Sequence, residues 1–237
     1  MGVQSYNLKT FGCSFTYGHG LADCIQEDMM THGFSPSSMA WPNHLKGICG
    51  FKKLYNLSKP GISNKTILKR ILEHDYTEKD IVVILWTNFD RQTIWKDPKN
   101  KLHIIPLRPD MSHNLDDTWY EYHGAANEKE YLKILDQHYG TFHYDFDVCF
   151  NNVSFINYAH AYLKSKNVRS YHLYSNHSIP EEHKKYFNKM MINDIRLKTF
   201  DWKTDFFIDD ALDQPHPHPG MKSHHLLATN IYRWFFE

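Results

Sequence analysis

Four residues of this 237-residue chain could together carry out acyl transfer, although they stand far apart in sequence. Ser14 lies in the segment FGCSFTYGHGL. A serine hydroxyl is a weak nucleophile until a base within hydrogen-bond reach takes its proton, and the base needs a group to orient it. Asp213-Gln214-Pro215-His216 offers both on one short loop, which Pro215 and Pro217 stiffen by fixing φ. Asn88 follows the apolar run IVVILW at 81–86 and could present a fixed, uncharged amide to a developing oxyanion. Each feature has a plainer reading: Ser14 as a helix cap, Asn88 as a turn residue closing a strand, and the 213–219 segment as a histidine-rich surface loop.

Two rivals share these segments. His216, His218, His224 and His225 could hold a metal, but His224 and His225 are adjacent and would point in different directions on a helix. Cys13 is a rival nucleophile. Neighbours on a strand face opposite ways, so the expectation is Ser14 at the site and Cys13 buried as a structural thiol.

The elements that must position these groups read as alternating strands and helices, the pattern of a parallel α/β sheet. A strand is expected over 6–12, running into a turn that Gly12, Gly18 and Gly20 allow to be tight. A helix over 38–48 places Pro42 in its first turn, and 53–57 reads as the second strand. The i, i+3, i+4 spacing over 64–74 predicts an amphipathic helix capped by Ser63. The unbroken apolar run 81–86 is how a strand covered on both faces reads.

Residues 91 to about 150 break the rhythm with Pro98, Pro106, Pro109, Gly124 and Gly140, and only 128–139 reads as firmly helical. This stretch is expected to be an insertion over the active-site edge of a single domain spanning 1–237. The rhythm returns with a helix over 153–165, a strand over 170–174, a helix after Pro180, a strand over 206–208 and a last helix over 221–235.

Composition narrows the function classes. Lys+Arg and Asp+Glu both count 27, so the formal net charge is zero and nothing steers the chain toward nucleic acid or an anionic membrane. The four cysteines show no CxxC spacing, and no apolar stretch reaches the ~18 residues of a membrane span. The first residues lack a basic segment followed by an apolar run. The expectation is a reduced, cytoplasmic protein, and a virus- or phage-encoded one would read the same way. The sequence leaves the oligomeric state open.

FGCSFTYGHGL resembles the first conserved block of the SGNH (GDSL-like) hydrolases, where Gly-Asp-Ser is usual. NLSKPGISN at 56–64 is similar to the second block, with Gly61 as its glycine. WTNFD at 86–90 resembles the third, Gly-x-Asn-Asp, with Asn88 as its asparagine. DQPHP at 213–217 matches the last, Asp-x-x-His followed by Pro. All four stand in the family's order. Cys13 replaces the usual Asp of the first block, while Trp86 and Phe89 replace the Gly and the last Asp of the third.

The resemblance implies a three-layer α/β/α sandwich with a mainly parallel, flavodoxin-like central sheet. It also implies a serine esterase with a Ser14–His216–Asp213 triad. The oxyanion hole would comprise the Ser14 and Gly61 N–H groups and the Asn88 amide, with no cofactor and no metal. Small acyl esters, among them O-acetyl groups of a carbohydrate, are the implied substrates. Tyr17, His19 and Trp86 are placed to line the pocket, and Arg91 to meet an anionic or sugar-bearing substrate. Two further classes stay open: a non-catalytic binding module on the same fold, and a metal-dependent hydrolase using the C-terminal histidines.

Overall fold

The computed structural model describes residues 3–24, 35–95, 101–104, 120–121, 124–142, 144–208, 210 and 218–237. Strand β1 (Asn7–Phe11) leads into a one-turn helix α1 (Ser14–Tyr17). Helix α2 (Trp41–Cys49) carries Pro42 at its start, where a missing N–H costs nothing, and Gly50 closes it in the left-handed region. Strand β2 (Lys53–Asn56) precedes α3 (Asn64–Leu72), whose Ser63 side chain accepts from the Thr66 N–H as expected of the cap. Strand β3 (Asp80–Leu85) is buried along its whole length.

A hairpin follows, β4 (Gln92–Trp95) with β5 (Lys101–Ile104), and then α4 (Glu128–Gln137). Next come α5 (Asp145–Ser165), β6 (Arg169–Ser175), α6 (Glu181–Met190), β7 (Leu197–Phe200) and α7 (Met221–Phe235).

The main sheet runs β2-β1-β3-β6-β7, and every pairing is parallel. Because side chains alternate across a strand, β3 feeds both layers. Val82 and Ile84 pack with Ile67 and Ile71 of α3 and Val153 and Ile156 of α5. Ile81, Val83 and Leu85 pack with Trp41 and Leu45 of α2 and Leu227 and Ile231 of α7. The molecule is therefore an α/β/α sandwich with its cores above and below one sheet.

Three expectations change. The helix expected over 153–165 begins at Asp145, because 145–152 (DFDVCFNN) mixes polar residues with the exposed aromatics Phe146 and Phe150 and shows no clear helical period. The last strand lies at Leu197–Phe200, and Trp202–Phe206 forms a π-helical turn capped by Asp201. Phe206 is fully buried from that turn, so the apolar run at 206–208 marks a core anchor and not a strand. The hairpin was not foreseen; its Thr93 hydroxyl meets those of Ser63 and Thr66 at the start of α3. Among the described residues no helix is long and apolar enough to cross a membrane.

Candidate active site

Ser14 opens α1 at the carboxyl end of β1, only 5% exposed. The first N–H groups of a helix have no acceptor within it, so the turn presents backbone donors where the Ser14 side chain emerges. Gly12 makes the turn possible. A Cβ at that position would sit 2.1 Å from Thr16 Oγ1 and 3.0 Å from the Leu85 carbonyl oxygen. The turn closes at Gly18, whose φ is 81° and whose N–H donates to the Ser14 carbonyl at 2.9 Å.

Cys13 has left the strand, so opposite strand faces do not separate it from Ser14. The Ser14 hydroxyl lies 4.0 Å from the Cys13 sulfur. Both residues are buried, and what sets Cys13 apart is its surroundings: it packs in the apolar layer with Phe11 and Ile62.

Gly61 lies between β2 and α3 and takes φ 70°, a backbone that disfavours any residue with a Cβ. Asn88 lies just past β3, and its carbonyl accepts from the Arg91 N–H at 3.3 Å. The expected turn is thus made by its backbone. Its side chain is exposed, with no hydrogen bond among the described residues. Ser14, Gly61 and Asn88 therefore follow the carboxyl ends of three adjacent parallel strands, where open α/β sheets bind ligands.

Sequence reasoning missed the residues that fix these positions. Asn64 brackets Thr87, accepting its N–H at 2.8 Å and donating to its carbonyl at 3.0 Å. The same Asn64 amide donates to Asn152 Oδ1 at 2.7 Å, and Asn152 donates to the Phe89 carbonyl at 3.1 Å. The backbone on both sides of Asn88 is thus held by two buried amides. Asn56 does similar work for the first turn: it donates to the Thr16 carbonyl at 2.8 Å and accepts from the Ser58 hydroxyl. Nothing in the spacing of these asparagines marks them, because each contact is made in three dimensions.

Asp213 and His216 lie outside the described residues. The chain is described again at His218, whose ring is 4.8 Å from that of His19 and 5.5 Å from that of Phe15, the neighbour of Ser14. His224 and His225 diverge. The His224 Nδ1 accepts from the Trp41 N–H at 3.1 Å, while the His225 ring meets His44 edge-on at 5.2 Å. No group of three or more His, Cys, Asp or Glu among the described residues could hold a metal ion.

Tyr17 is buried, its hydroxyl pushed up by burial and then by Cys24. Trp86 is part of the core, stacked on His172 with its indole N–H donated to His172 Nδ1 at 3.2 Å. It packs and does not line the site.

The parallel five-stranded sheet between two helical layers makes the chain an α/β/α sandwich. No family model and no curated protein matches the sequence. Solved structures do share the fold. One is a carbohydrate esterase whose active site displays divergent catalytic and non-catalytic binding functions; the match has 12% identity and a TM-score of 0.56, covering 97% of this chain and 68% of that one. An acetyl xylan esterase from the rumen bacterium Butyrivibrio proteoclasticus matches with 15% identity and a TM-score of 0.51, covering 99% and 66%. A carbohydrate esterase family 2 enzyme from Corynascus thermopiles (Myceliophthora fergusii), with its carbohydrate-binding domain, matches with 12% identity and a TM-score of 0.52, covering 97% and 66%. The chain thus spans about two thirds of the length of these three proteins.

Proposed function

We propose that this protein is a serine ester hydrolase acting on small acyl esters, with O-acetylated carbohydrates as the favoured class. The observation that carries the reading is the placement of Ser14, Gly61 and Asn88 after three adjacent parallel strands. Helical capping alone would explain Ser14, but not a left-handed glycine and an exposed amide after the two neighbouring strands.

In this reading His216 takes the Ser14 proton as Oγ bonds to the ester carbonyl carbon, and Asp213 steadies the imidazolium. Charge on the former carbonyl oxygen meets the Ser14 and Gly61 N–H groups and the Asn88 amide. The tetrahedral intermediate then expels the alcohol, which leaves with the proton held by His216. Water, deprotonated by the same histidine, releases the acid and restores Ser14. The return of the chain beside α1 at His218 supports a histidine base from this loop. The names of the structures sharing the fold support the carbohydrate-ester class.

Hydrolysis of 4-nitrophenyl acetate by three variants tests the assignment. Ser14→Ala and His216→Ala should each lose activity by several orders of magnitude, while His218→Ala should cost little. Full activity in Ser14→Ala would end the reading, and the reverse ranking of the two histidines would move the base to His218.

A further inference from the structure

Helix α5 lies in an outer layer of the sandwich, yet its outer face is not that of a solvated helix. From Val148 to Leu163 it carries no Asp, Glu, Lys or Arg. Its buried residues, among them Asn152, Ile156, Ala159 and Leu163, point to the core. Phe150, Ser154, Tyr158 and Ala161 recur at i, i+4, i+8 and i+11, so they share the opposite face. There Phe150 is 42% exposed and Tyr158 56%. Phe146, also exposed, continues the apolar surface onto α6, where its ring lies 5.1 Å from that of Tyr186.

An outer helix normally turns a polar face to water, and a contiguous exposed apolar patch marks an interaction site. The two ends of α5 indicate what covers this one. Its first turn is acidic at Asp147, and its last turn is basic at Lys164. A surface of one sign would meet a like charge at one end. A second α5 laid antiparallel meets an opposite charge at both. In the register that sets Asp147 opposite the partner's Lys164, Phe150 falls opposite the partner's Ala161, a large ring over a small side chain. Ser154 lies near the middle of that register, where a small side chain lets two helices approach. Lys164 also meets Asp194 of its own chain, and Asp147 accepts from its own Asn151 amide at 2.9 Å. Both contacts are exposed, where polar pairs compete weakly.

We propose that the outer face of α5 is the contact surface of a two-fold homodimer in which the two α5 helices pack antiparallel. The contact is isologous, so each complementary pair occurs twice. Each Tyr158 lies within one helical turn of the axis. At about 1.5 Å per residue and about 10 Å across, the helix face offers roughly 300 Å². That is well below the ~800 Å² per partner of a standard interface, so the dimer is a weak one that dissociates at micromolar or higher concentration. The proposal does not depend on the esterase reading.

Sedimentation equilibrium from micromolar to millimolar protein tests it, and should find a reversible monomer–dimer equilibrium. Tyr158→Arg brings two like charges together near the axis and should leave the protein monomeric throughout, with the parent's melting temperature. Phe150→Gln serves in its place should that variant melt early. Asp147→Lys and Lys164→Glu should each weaken the dimer about 3–10-fold, because like charges then meet at both ends. An equimolar mixture of these two variants should regain the parent's affinity, since opposite charges again meet at both ends. A parent that stays monomeric up to millimolar concentration would overturn the proposal, and so would a dimer indifferent to both Tyr158→Arg and Phe150→Gln. A mixture no tighter than its components would rule out the antiparallel register. A monomer that floats with phosphatidylcholine vesicles, and ceases to with Tyr158→Arg, would assign the face to a lipid surface and not to a second copy.

Discussion

At Asn88 two roles that look alike in sequence separate in space. Its backbone carbonyl closes the turn with Arg91, and its side-chain amide stays exposed at the carboxyl end of β3, the strand next to β1. If the amide donates to the oxyanion, the contact is strongest in the transition state. Losing such a donor costs on the order of 3 kcal/mol, or about 100–1,000-fold in kcat, with KM nearly unchanged. Asn88→Ala should show that split and melt close to the parent, because the turn bond is made by backbone. Asn88→Asp should be at least as poor, since a carboxylate repels the oxyanion. Steady-state kinetics beside thermal melts check this, and lost stability with retained turnover would return Asn88 to a turn residue.

At the scale of elements, the turn carrying Asn88 depends on α3 and α5 through the Asn64–Asn152 pair. Removing Asn64 leaves the buried Thr87 N–H without its acceptor, which costs about 1–3 kcal/mol. Asn64→Ala should therefore lower the melting temperature and also kcat, through misplacement of Asn88, with a smaller change in KM. A double-mutant cycle with Asn152→Ala should give strongly non-additive losses, because the two amides share one hydrogen bond at 2.7 Å. Additive losses with unaltered kcat would mean that the pair only stabilises the fold.

How much of this was legible in the sequence follows from where each signal lives. The run at 81–86 announced a doubly covered strand because both faces of β3 are apolar. The caps at Ser63 and Pro42 declared two helix starts locally. Edge strand β7 was misplaced because LKTF is half solvated and weakly apolar, whereas Phe206 owes its burial to a turn. That Ser14 and Asn88 follow strand ends could be read from sequence, since the apolar runs before them are local signals. Asn64 and Asn152 are 88 residues apart and meet only in the fold. The Asp213–His216 pair rests on sequence alone.

Across the whole molecule, a buried hydrogen-bond chain ties the sheet to its surface. The Trp86 N–H can only donate, so His172 Nδ1 must accept and Nε2 donates to the Ser170 hydroxyl at 3.0 Å. Ser170 then donates to His160 Nδ1 at 3.3 Å, and His160 Nε2 to Asp194 at 3.3 Å. The order holds only while His172 is neutral.

Burial, then the nearby His160, pushes His172 down from 6.5 to about 3. Burial, then His44, does the same to His224. Both pKa values are lower folded than unfolded, so the unfolded chain binds more protons between about 3 and 6.5. Stability is then full above 6.5 and lost as pH falls, by up to about 1.4 kcal/mol per pH unit for each ring. The melting temperature should drop steadily from pH 6.5 toward 4. Nitrogen NMR should find both rings neutral at pH 5, and titration of either near 6.5 would contradict the assignment.

The central claim is that Ser14 is the nucleophile, and covalent capture tests it most directly. Reaction with a 4-nitrophenyl phosphonate, followed by peptide mapping, should place one phosphonyl group on Ser14. Labelling should track the loss of acetate ester hydrolysis, and Asn88→Ala should slow it. An adduct on Cys13, or full loss of hydrolysis with Ser14 unmodified, would contradict the account.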